Sequence, residues 1–128
     1  MSDARQQQFE NFGYALGQVL ALREATLHAE RLMAQYKSGR RSRPAALVLL
    51  QPARTILALA SGSCKTAEEV LHRARWGSTR AIYRDAYDWY EQAVADYLTT
   101  VDELNELLRA ASLSTASDYR RRCSPPDR

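Results

Sequence analysis

RAIYRDAYDWYEQAVADYLTTVDELNELLR, Arg80 to Arg109, is the stretch on which the reading of this chain turns. At helical spacing, Asp88, Ala95, Thr99, Asp102 and Glu106 fall on one line, flanked by Arg84, Asp85, Glu91, Gln92, Asp96, Glu103 and Arg109. The opposite side carries Tyr83, Tyr90, Val94, Tyr97, Val101, Leu104 and Leu108, widened by Ile82, Ala86, Ala93 and Leu107. Apolar residues three and four apart, sustained over roughly eight turns, predict an amphipathic α-helix with a wide buried face. The rest of the chain is expected to pack on that face.

Working outward, the chain of 128 residues suits one domain with a real core. Charged residues make up 26% and hydrophobic residues 45%, the balance of an ordinary globular protein, which argues against global disorder. No stretch alternates with period two, so no strand is predicted. The sequence predicts an all-α, four-helix bundle over residues 1–113, followed by a flexible basic tail over 114–128. No internal repeat is visible.

The first helix is predicted from about Gln7 to Tyr36, with two apolar stripes. Phe9, Phe12, Leu16, Val19, Leu20 and Leu27 form one. Leu22, Ala25, Ala29, Leu32 and Tyr36 form the other, with Tyr14 and Ala21 beside it. Such a helix must bury both sides, either between neighbours in a bundle or partly against another chain. Gly13 and Gly17 would permit close backbone approach, and Phe9 and Phe12 mark a candidate homodimer surface. Gly39 ends this helix and Pro44 suits the first turn of the next.

The second helix, about Pro44 to Ala60, is apolar nearly all round and belongs in the middle of a bundle, with a kink at Pro52. It is interrupted by Gln51, Pro52 and Arg54 and is shorter than the ~20 residues of a spanning helix, so no membrane span is expected. Ser61-Gly62-Ser63 is read as its stop. Thr66-Ala-Glu-Glu69 reads as a capping box opening a third helix to about Trp76. A break or kink at Gly77-Ser78 then precedes the long helix; the alternative is one continuous helix from Ala67 to Ala111.

Catalytic and metal templates find little. Glu69-Val-Leu-His72 has the spacing of a dinuclear-metal bundle, but His28 has Ala25 three residues earlier, so the second pair is missing. Asp85, Asp88 and Glu91 lie on a polar helix face, as solvated acids do. Arg23 and His28, five residues apart, point away from each other on a regular helix. There is no phosphate-binding Gly-rich loop and no nucleophile elbow. The chain is therefore read as a non-enzyme with no cofactor and no metal. Its two cysteines, Cys64 and Cys123, lack metal-type spacing and read as free thiols of a cytoplasmic protein. Met1 to Gln8 is polar and lacks the apolar core of a signal peptide.

Two binding constellations remain. Between Asp85 and Glu106 there are seven acids and no base, whereas Met1 to Thr79 holds eleven Lys/Arg against six Asp/Glu. The acidic face, with Asp85, Asp88, Glu91 and Asp102 between Tyr87 and Trp89, suits docking onto a basic protein surface. That is the role of an adaptor, an inhibitor or an immunity-type partner. The alternative is nucleic acid, held by the loop Arg40, Arg41 and Arg43 and by Arg73, Arg75, Trp76, Arg80 and Arg84. No motif is specific enough to carry a family assignment.

Overall fold

In the computed structural model the described residues are 2–74 and 80–115, with side chains described over 13–69 and 84–115. They form three α-helices and no strand: α1 (Ser2–Ser38), α2 (Arg43–Ala74) and α3 (Arg80–Ala110). The fold is all-α, but three helices stand where four are expected.

The difference lies at Ser61-Gly62-Ser63, through which α2 runs without a break. Ser61 is buried, and its Oγ donates to the Ala58 carbonyl at 2.7 Å. Thr66 is not a cap: its hydroxyl donates back to the Gly62 carbonyl at 2.9 Å, as a mid-helix threonine does. The physical reason is the seam. Ala46, Leu50, Ala53, Leu57, Ala60, Cys64 and Ala67 are all buried, alternately four and three residues apart. Burial along that line continues past Gly62, so stopping the helix there would expose Cys64 and Ala67. Pro52 sits inside α2 at an exposed position. The carbonyl it cannot serve is that of Val48, also exposed, so the lost bond falls on the solvent side.

The same spacing runs through α1: Ala15, Val19, Leu22, Thr26, Ala29, Met33 and Tyr36 are buried. This seam draws on both expected stripes and runs between them. Leu16 flanks it on one side and Ala25 and Leu32 on the other, all partly buried, while Tyr14, Leu20 and Leu27 are exposed. A Cβ added at Gly13 or Gly17 would meet nothing within 4 Å, so neither glycine serves a close approach inside the chain.

Alanine recurs every seventh residue in α2, at 46, 53, 60 and 67, all buried. Small side chains along one line let two helices come close, and α1 and α2 share the most extensive backbone approach of the three helix pairs. Gly39 to Ser42 connects them, which makes them antiparallel neighbours. Ser42 caps α2, its Oγ accepting from the Ala45 amide at 3.2 Å.

Helix α3 lies across this pair. Its seam of Ala86, Tyr90, Ala93, Val94, Tyr97, Val101, Leu104 and Leu108 is buried, as the sequence predicts. The Tyr97 hydroxyl donates to the Leu57 carbonyl at 2.7 Å and the Tyr90 hydroxyl to the Cys64 carbonyl at 3.3 Å. Partners that climb one helix while descending the other make α3 antiparallel to α2. Toward α1 the order is parallel: Arg23 lies by Trp89, Glu30 by Thr100 and Lys37 by Glu103. The result is an up-down-up three-helix bundle. Among the described residues no buried side-chain nitrogen or oxygen lacks a partner.

Burial pushes the Tyr90 phenol well above the ordinary tyrosine range, with the Glu68 carboxylate and Tyr87 adding to the shift. An unfolded tyrosine ionises near ~10. The folded state therefore keeps a proton there that the unfolded state loses, and stability contributed by Tyr90 is full below pH ~10 and falls as pH rises further. Denaturant melts at increasing alkaline pH should show that loss, and Tyr90→Phe should flatten it; an unchanged slope would contradict the burial.

Helix α3 ends in a Schellman motif: Leu113 N–H reaches the Leu108 carbonyl at 2.8 Å and Ser112 N–H the Arg109 carbonyl at 3.0 Å. Ser112 takes φ 58°, a left-handed conformation that suits glycine. Ser112→Gly should raise stability by about 0.5–1 kcal/mol, read as a higher denaturation midpoint. Leu113 then packs on the core, and Arg54 Nη1 donates to the Ser114 carbonyl at 3.0 Å. The basic tail expected from residue 114 lies, from residue 116 on, outside the described residues.

Cys64 is buried and disulfide-bonded, against the expectation of two free thiols. No free cysteine is found among the described residues; the sequence's other cysteine, Cys123, lies outside them.

Candidate protein-binding faces

The outer face of α3 is the acidic surface the sequence predicts. Asp85, Asp88 and Asp102 are exposed and Glu91 is half-buried. Asp88 and Asp102 are fourteen residues apart on one helix, a span of about 21 Å. Asp88, Glu91, Gln92 and Ala95 line a shallow depression on this face. Asp88, Glu91 and Asp102 also take part in interactions within the chain.

Tyr87 and Trp89 border this row on opposite edges, but both are turned to neighbours. Trp89 is half-buried, and the Arg23 guanidinium from α1 sits 5.7 Å from its ring centre. That is cation–π distance. Tyr87 meets Tyr90 edge-on, ring centres 6.3 Å apart. The two aromatics close the edges of the core.

Behind Trp89, between α1 and α3, Arg23, Thr26, Leu27, Glu30, Ala93 and Asp96 line a second depression. Thr100 donates to Glu30 Oε1 at 2.9 Å there, and one turn beyond, Lys37 pairs with Glu103. The sequence reading missed the Arg23 and Glu30 contacts. The signal was present: each flanks a residue of the three-four seam in α1, the position from which a side chain reaches the neighbouring helix.

Of the basic constellation, the described side chains lie at two ends of the bundle. Arg40, Arg41 and Arg43 are exposed at the α1–α2 turn. Arg84 is exposed near the start of α3, at the other end of the bundle, roughly 40 Å away along α2. It stands one turn before Asp88, on the acidic face. Of the others, Arg75 and Trp76 lie outside the described residues, as do the side chains of Arg73 and Arg80. The side chains of Phe9, Phe12 and His72 are likewise outside them. No group of three or more metal-ligating side chains occurs among the described residues.

The apolar part of α2 is longer than the sequence reading allowed. Because the helix passes Gly62, Arg43–Glu69 spans 27 residues and holds a window of mean hydropathy 1.4, long and apolar enough to cross a membrane by length and composition. Only 33% of that window is buried. Compared with protein families, with curated proteins and with solved structures, the chain matches none.

Proposed function

We propose that this chain is a non-catalytic helical binding protein that docks onto a basic protein surface through the outer face of α3. The observation that carries the reading is the line of acids from Asp88 to Asp102, about 21 Å of helix, with no Lys or Arg anywhere between Asp85 and Glu106. Charge of one sign held on a rigid element steers an oppositely charged partner and fixes its register. Asp88, Glu91 and Asp102 make the central contacts, with Asp85 at the edge. Tyr87 and Trp89 support the helix from behind. An adaptor, an inhibitor or an immunity-type partner would work this way.

Nucleic acid is the weaker reading, because the exposed arginines at the α1–α2 turn and Arg84 sit at opposite ends and the acid row would repel a phosphate backbone. The disulfide at Cys64 bears on location: an oxidising compartment preserves such a bond, whereas the cytoplasm keeps thiols reduced.

The test is a nuclease-treated affinity pull-down read by mass spectrometry, run with three proteins. Asp88→Lys, Glu91→Lys and Asp102→Lys together should reduce recovery of the bound protein at least tenfold, on the scale of desolvated charge pairs. Replacing Arg40, Arg41 and Arg43 with alanine should leave it unchanged. The reverse pattern, or recovery that vanishes with nuclease, would overturn the proposal.

A further inference from the structure

We propose that a second copy of this chain covers the outer face of α2, the two α2 helices running antiparallel about a twofold axis at Thr55. This surface is on a different helix from the acidic face and does not depend on that reading.

The face is apolar and open. Val48, Pro52, Thr55, Leu59 and Gly62 form a line with spacings of four, three, four and three, opposite the buried seam. All five are exposed, Val48 at 68% and Leu59 at 77%, with Leu47 beside them at 40%. From Pro44 to Cys64 the only charged residue is Arg54, and its guanidinium is engaged with the Ser114 carbonyl. A soluble chain rarely leaves a contiguous apolar strip of this kind in water.

The line is self-complementary. Reversed about Thr55, Val48 falls opposite Gly62, and Pro52 falls within one residue of Leu59. A Cβ at Gly62 would meet nothing within 4 Å in the same chain, which leaves room for the Val48 side chain of the other copy. The charges at the two ends select the direction. Arg40, Arg41 and Arg43 stand exposed at the start of α2; toward its end Glu69 stands exposed on the outer face, with exposed Lys65 one turn before it and Glu68 on the side near Tyr90. The same reversal brings Arg41 of one copy to Glu69 of the other, twice by symmetry. A parallel pair would bring arginines against arginines and glutamates against glutamates, which is unfavourable. A neutral bilayer or an acidic partner would leave one charged end without a counterpart.

The oxidised 128-residue chain is tested by sedimentation equilibrium over the micromolar range. A dimer is expected. Leu59→Glu and Val48→Glu should each weaken it about thirtyfold or more, the scale of a central interface contact. Both side chains are exposed in the single copy, so the thermal melt of a dilute sample should not change. A copy carrying Glu69→Arg, and another carrying Arg41→Glu, should pair poorly alone and well when mixed. Direction is read by cross-linking: Val48→Cys and Gly62→Cys chains should cross-link when mixed and not separately. Several results would overturn the proposal. They are a monomer at all concentrations, a dimer indifferent to Leu59→Glu, cross-linking of Val48→Cys with itself, or monomers that float with phosphatidylcholine vesicles.

Discussion

Leu57→Ala is expected to destabilise the bundle by about 2–5 kcal/mol, because Leu57 is fully buried at the middle of α2 and truncation leaves a cavity that a close-packed seam cannot collapse into. For a chain of this size that lowers the melting temperature by roughly 10 °C or more. The substitution isolates packing from hydrogen bonding, since the bond from Tyr97 ends on the Leu57 backbone carbonyl, which alanine keeps. Equilibrium urea unfolding measures it. A loss below about 1 kcal/mol would mean that the centre of the core lies elsewhere.

Ala53→Leu tests the opposite failure. Ala53 is fully buried in the alanine line of α2. Three added carbons have no space there, and the expected cost is about 1–3 kcal/mol or more as a neighbouring helix is pushed away. Ala58→Leu supplies the comparison: Ala58 is half-buried outside the seam, and the same enlargement there should cost little. Chemical unfolding of the two variants side by side gives the answer. Equal costs would remove the case for a tight seam along α2.

Much of the helical content is legible in the sequence because it rests on periodicity. The buried side of α3 is the expected one from Ala86 to Leu108, and the α1–α2 turn falls at Gly39 to Ser42, where Gly39 and Pro44 place it. The break at Ser61-Gly62 fails for a physical reason. Local propensity speaks for a stop worth about 1 kcal/mol at one glycine. The packing of Ala60, Cys64 and Ala67 on the same seam outweighs it. The alanine repeat is hidden because α2 is apolar on nearly every side, so the line that faces a neighbour does not stand out by hydropathy. Contrast helps in α3, where polar and apolar sides are distinct. At the candidate site, the exposure of Asp85, Asp88 and Asp102 is readable from the helix wheel. That Trp89 lies under Arg23 is not, because the pairing depends on how α1 and α3 are staggered.

The setting of α3 along α2 rests on something else. Alanine at every seventh position makes the seam of α2 look alike after a slide of seven residues, about 10 Å along its axis. Apolar contacts alone would barely distinguish the two alignments. Tyr90 and Tyr97 are also seven apart, and so are the carbonyls that receive them, at Cys64 and Leu57. After such a slide both phenols would again meet main-chain carbonyls of α2, so these bonds repeat with the alanines. The setting is fixed where the repeat lapses: Arg54 Nη1 donates to the Ser114 carbonyl, and after a slide of seven residues Leu47 or Ser61 would stand in its place and could not.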